Sequence, residues 1–181
     1  MRTVCGVSMC ALVALSLVSA PAEARKPEDV FGGKIILSSR PFPQEARSAS
    51  AYIGAVKKQS LTRFVEDKEN KEWRIFYAAF FKQPVGDLDV NLKIYDVTSG
   101  ERLVEAYEQY LSNTNSRALT GKVLLKRGDG TAGYDPNTRI KMVMMSKGKV
   151  IAEATFVIQG EGKKYSGQVE FTAEEAAGGT K

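Results

Sequence analysis

The sequence predicts an all-β domain, a single antiparallel β-sandwich of about eight or nine strands. Three observations carry that reading. Apolar and polar residues alternate with a period of two over most of the chain, the pattern of extended strands with one buried face. The alternating runs are short and recur regularly, separated by clusters of Gly, Pro, Asn, Asp and Ser. Strands and helices do not alternate, so nothing points to a parallel α/β sheet. At 181 residues, 43% apolar and 26% charged, the chain can bury one core and is too apolar for wholesale disorder.

The elements follow in chain order. Residues 1–24 read as a secretory signal peptide, with Arg2 as its positive start, an uncharged apolar run from Val4 to Val18, and a small-x-small cleavage site at Ala22-Glu23-Ala24. That run is shorter than the ~20 residues needed to cross a bilayer. Cleavage leaves Arg25 first and implies an exported protein, periplasmic or extracellular, with no transmembrane segment in the mature chain. Residues 25–33 read as a flexible arm, 34–172 as the sandwich domain and 173–181 as a disordered tail.

Lys34 to Ser38 reads as the first strand, stopped by Arg40-Pro41-Phe42-Pro43. Residues 44–59 read as either a short helix or an irregular excursion. Residues 60–65 form a second strand, and Glu66 to Glu72 a solvated turn. Trp73 to Phe81 is apolar on both faces, as expected in the middle of a sheet or where a strand passes from core to interface. Leu88, Val90, Leu92 and Ile94 share one face of the next strand. Arg102 to Leu111 fits helical spacing at Leu103, Val104, Tyr107, Tyr110 and Leu111, but a returning strand is preferred, because the Gly100 turn before it makes a hairpin that covers its neighbour's edge. Strands follow over 119–125, 140–144 and 150–158, and the last carries Tyr165, Gly167, Val169 and Phe171.

The composition excludes much chemistry. The chain has no histidine, and both cysteines, Cys5 and Cys10, lie in the removed segment. The mature chain therefore forms no disulfide and lacks the ligands for zinc, blue copper, iron–sulfur clusters or histidine-held haem. Ser-His-Asp and Cys-His catalysis are excluded as well. No cofactor and no metal are expected. Asp129, Thr131, Asp135 and Asn137 offer oxygens without the spacing of a calcium loop. The Arg127-Gly128-Asp129 tripeptide reads as turn chemistry. For a hydrolase there remain Asp87 and Asp89, with Glu105 facing them across the hairpin, on what otherwise looks like a solvated sheet surface.

Tyr134 through Ile158 contains a Pro-Asn entry, the alternating Ile140, Met142 and Met144, a turn at Ser146-Lys147-Gly148-Lys149, and the returning Val150, Ala152, Ala154, Phe156 and Ile158. This block resembles the penultimate hairpin of exported immunoglobulin-like β-sandwich proteins of Gram-negative bacteria. The resemblance implies an immunoglobulin-like fold without the Cys-Trp-Cys core, and brings no known activity with it.

The function expected is that of a non-catalytic binding or structural module of the bacterial envelope, not an enzyme. One alternative is a subunit of a surface or secretion assembly, docking through the 72–82 aromatic strand at Trp73, Phe76 and Phe80. The other is a carboxylate-based hydrolase of an envelope polymer. An envelope protein or a glycan fits as partner, and nucleic acid does not. The net charge of +5 is interleaved, with local excesses at Lys57-Lys58 and Lys163-Lys164 that suit weak contact with anionic surfaces.

Overall fold

A computed structural model describes residues 25–128 and 133–161. The expected signal peptide, the last strand at 165–171, the tail, Asp129, Thr131, Lys163 and Lys164 lie outside the described residues. Within them the chain forms eight strands: β1 (Lys34–Ser38), β2 (Arg63–Val65), β3 (Glu72–Phe80), β4 (Asp89–Asp96), β5 (Arg102–Tyr110), β6 (Ala118–Lys126), β7 (Thr138–Ser146) and β8 (Lys149–Gln159). Two helices, α1 (Pro27–Phe31) and α2 (Ala49–Gln59), flank β1.

One hydrogen-bonded sheet joins all eight strands. Seven follow the order β5-β4-β7-β8-β1-β3-β6, and β2 also pairs with β8. β1 and β2 lie end to end along one edge of β8: Lys34 stands opposite Glu153, and Arg63 to Val65 opposite Val157 to Gln159. Both of these pairings are parallel, whereas the other ladders are antiparallel. The wholly antiparallel arrangement expected from the sequence is therefore corrected to a mixed sheet. The segment holding α2 moves the chain further along β8 instead of reversing it.

The sheet curls into a half-barrel. Tyr77 of β3 and Gln109 of β5 stand near opposite ends of the strand order, yet the tyrosine hydroxyl donates to Gln109 Oε1 at 3.0 Å. The concave face holds Trp73, Ile75, Leu92, Ile94, Leu125, Ile140, Met142 and Phe156, all fully buried. Gly121 on β6 makes room for this curl, because a Cβ there would sit 2.8 Å from Tyr77 Cε1.

β3 is apolar on both faces because both are covered. Trp73, Ile75, Tyr77 and Ala79 enter the main core, while Ala78 and Phe80 form a second cluster with Phe31, Phe42 and Val56 beneath the helices. The Phe31 and Phe80 ring centroids are 5.1 Å apart. This corrects the arm at 25–33: Pro27 starts α1, Phe31 is buried, and Gly33 N–H donates to Phe80 O at 2.7 Å. Residues 49–59 are helical, capped by Ser48 Oγ, which accepts from Ala51 N–H at 3.1 Å. Residues 102–110 are a strand, paired with β4 from Asp89 opposite Tyr110 to Asp96 opposite Arg102.

Candidate functional site

The β7–β8 hairpin turns on Lys147 and Gly148, both with positive φ (49° and 76°), a left-handed pair that matches the strand twist. Two residues later the ladder slips between Met144 and Met145, so that Ile151 is extra on β8. Such a bulge re-aims side chains beside it. The turn and bulge form one wall of a groove of about 550 Å³. The segment after β3, Phe81 to Val85, forms the other wall, and Gly33 lies between them.

The groove is mixed in chemistry. Phe81, Val85, Ile151 and Ala152 make it apolar, and Lys82, Lys147 and Lys149 bring three cations to its lining. Lys147 Nζ donates to Gly86 O at 3.2 Å and stands 3.9 Å from Asp87 Oδ2. Lys82 and Lys149 make no ion pair among the described residues. The one acid of the lining, Glu153, is 3.6 Å from Lys141. Ser146 in the wall is 5% exposed, and its Oγ has no hydrogen-bond partner among the described residues. A buried hydroxyl without a partner costs about 1–3 kcal/mol, a cost that a ligand accepting or donating at that oxygen removes.

A second polar cluster lies where β5 faces the interior. Tyr107 Oη and Tyr134 Oη both donate to Glu105 Oε2, the latter at 3.2 Å. Burial, with the Glu105 carboxylate adding to it, holds both phenols well above the usual tyrosine range. Burial alone pushes Tyr77 up to about 12.

The residues singled out from sequence are dispersed. Trp73 and Phe80 are 0% and 1% exposed, so neither presents a docking surface, and only Phe76 is half-buried. Trp73 Nε1 donates to Gln159 O at 2.9 Å. Lys57 and Lys58 occupy the last turn of α2, where cations suit the helix dipole. Lys58 also lines a groove of about 480 Å³ with Arg40, Ser39 and Gln59. Glu105 pairs with Ile94 and shares its core-facing side, whereas Asp89 is exposed on the other face of β4. The three acids therefore do not converge. Arg127 is turned inward onto Glu66, at 3.0 Å from Oε2. Among the described residues no three metal-ligating side chains gather. No described helix is long and apolar enough to cross a membrane.

The groove is not legible in the sequence because its two walls, Phe81 to Val85 and Ser146 to Glu153, come from segments more than sixty positions apart in the chain. The only local signal was Lys147-Gly148-Lys149, two lysines around a turn glycine.

No family model matches the chain, and no curated protein matches it. Among solved structures, a Pseudomonas fluorescens alkylpurine DNA glycosylase bound to DNA with an abasic-site analogue is similar at a TM-score of 0.31 and 9% identity. That match covers 73% of this chain and 32% of the glycosylase. A Listeria innocua β-glucosidase in complex with gluconolactone is similar at a TM-score of 0.33 and 7% identity, over 73% of this chain and 17% of the enzyme. This chain thus spans a third or less of either protein, and likeness of that degree supports no argument about function.

Proposed function

We propose that the protein is a non-catalytic binding module of the bacterial envelope, exported by its N-terminal segment, and that the groove beside the β7–β8 hairpin is where it binds. The ligand class that fits is an anion carrying an apolar body, such as a long-chain carboxylate. The observation that carries the reading is the buried Ser146 Oγ, without a partner among the described residues, in an apolar groove lined by Lys82, Lys147 and Lys149. The apolar residues receive the body, the lysines attract the head, and the hydroxyl gains a partner. Kinship with exported immunoglobulin-like modules belongs to the same reading and rests on the β7–β8 hairpin.

Calorimetric titration tests it, with a fatty carboxylate and the alcohol of the same chain length. The carboxylate is expected to bind at least about tenfold more tightly, a difference of about 1.4 kcal/mol. Lys82→Glu with Lys149→Glu should remove that preference. Equal binding of acid and alcohol, or a preference that survives the double reversal, would sink the proposal.

A further inference from the structure

The groove of about 480 Å³ lies where β1 and α2 both end, and it shares no residue with the groove beside the β7–β8 hairpin. Ser38, Ser39 and Arg40 line it from the end of β1, and Lys58 and Gln59 from the last turn of α2. Both sides are fixed in place. Leu61 N–H donates to Leu37 O at 2.8 Å, which ties the chain after α2 to β1. Val56 of α2 and Phe42 after β1 are buried in the same cluster under the helices. Ser38 is buried, and its Oγ accepts from Arg40 N–H at 3.0 Å. Arg40 precedes Pro41, whose ring confines the arginine backbone to extended conformations. The site is therefore shaped before any ligand arrives, and its volume lies within the about 300–1,000 Å³ usual for small-ligand sites.

The lining offers donors and acceptors together. Arg40 and Lys58 are exposed cations that make no ion pair among the described residues. The Ser38 and Ser39 hydroxyls each carry a proton to donate. On the acceptor side, Gln59 Oε1 is buried without a partner among the described residues. The carbonyls of the last turn of α2 add to it, at the negative end of the helix dipole. A bare inorganic anion satisfies the cations but meets these acceptors with nothing to donate. A neutral sugar serves the acceptors but leaves the cations without a counter-charge. A ligand that carries both an anionic group and hydroxyls answers both sets, while Ala55 and Leu61 offer apolar surface to the C–H face of a ring.

We propose that this groove is a second binding site, for an acidic sugar: a pyranose ring bearing a carboxylate. Arg40 and Lys58 hold the carboxylate, the guanidinium of Arg40 being suited to bind both of its oxygens at once. A ring hydroxyl donates to Gln59 Oε1 and removes the cost of leaving that buried oxygen unpaired. The site differs from the groove beside the hairpin in what it refuses, since a fatty carboxylate brings no hydroxyl for Gln59.

NMR titration of the full chain with glucuronate, glucose and inorganic phosphate tests this, read at the backbone amides of Ser39, Arg40 and Lys58 and at the side-chain amide of Gln59. Glucuronate should shift these signals and bind at least about tenfold more tightly than glucose or phosphate. Arg40→Glu with Lys58→Glu, both at exposed positions, should weaken glucuronate about tenfold or more. Gln59→Leu should weaken it about fivefold, the worth of one hydrogen bond. Lys82→Glu with Lys149→Glu, in the other groove, should leave it unchanged. Glucuronate that moves none of these signals, or glucose or phosphate that binds as tightly, would overturn the proposal. So would glucuronate binding that survives the reversal at Arg40 and Lys58, or that is lost on the reversal at Lys82 and Lys149, which would place the acid in the other groove.

Discussion

At the scale of single residues, the most consequential contact is the ion pair at the end of the barrel where β6 and β8 finish. Glu66 has a side chain only 4% exposed, and both its oxygens accept from Arg127 Nη1, at 3.1 and 3.0 Å. Replacing Arg127 by Met leaves a buried carboxylate without its counter-ion, which should cost about 3–5 kcal/mol in urea unfolding. Adding Glu66→Leu should recover much of that loss, because the pair is then removed as a unit. A single Arg127→Met change below about 0.5 kcal/mol would show the pair to be a surface contact. The two aromatic anchors give a second test. Phe80 lies under the helices, and Phe156 meets Phe64 at 5.6 Å between ring centroids, each phenylalanine being 1% exposed. Phe80→Ala and Phe156→Ala should each cost about 3–5 kcal/mol in the same assay. A loss within the ordinary surface range would place either ring outside the core.

At the scale of elements, α2 is the piece whose composition least suits its conformation. Gly54 sits in the helix interior with its φ in the ordinary range, and nothing lies within 4 Å of where its Cβ would be. Gly54→Ala should therefore stabilise the protein by about 0.5–1 kcal/mol, through lost freedom of the unfolded chain. No gain in the urea midpoint would mean that the helix is frayed there. The same element shows why residues 44–59 were ambiguous in the sequence. Only Val56 of the helix is fully buried, with Tyr52 and Ile53 partly buried against the same cluster, so the apolar stripe of α2 spans little more than one turn and announces itself weakly. β5 was ambiguous for the opposite reason. Val104 and Tyr107 pack against the main core beside Glu105 and Gln109, whereas Leu103 and Tyr110 are 50% and 69% exposed. The period of two holds from Glu105 onward but slips at Val104, where the pairing with β4 shifts by one residue, and the inner face of this outer strand mixes polar with apolar side chains.

At the scale of the whole molecule, what the alternation made legible was strand existence, and what it left hidden was pairing. β3, β4, β7 and β8 announce themselves because each buries a continuous apolar face. That β1 and β2 share one edge of β8, and that β3 reaches across to β5, depends on contacts distant in sequence that no local pattern encodes. Those distant contacts also set how stability depends on pH. Tyr77, Tyr107 and Tyr134, on three separate segments, are all held protonated beyond the usual tyrosine range, chiefly by burial, with Tyr77 at about 12. A tyrosine in the unfolded chain loses its proton near pH ~10. Between that pH and the folded values the native state binds protons that the unfolded state has released, so ionisation pulls the equilibrium toward unfolding. The stabilisation is fully present below pH ~10 and is lost as pH rises through about 12 for Tyr77 and higher for the other two. The midpoint of thermal unfolding should therefore hold through neutral pH and fall once pH passes ~10. Tyr77→Phe keeps the ring and removes the titrating hydroxyl together with its bond to Gln109, so its stability should fall less steeply with alkaline pH, even if it starts lower. Absorbance titration of the folded protein should show these three phenols ionising above the ordinary tyrosine range. Parallel alkaline slopes for the native chain and Tyr77→Phe, with these three phenols ionising near pH ~10, would show that the concave face is open to water.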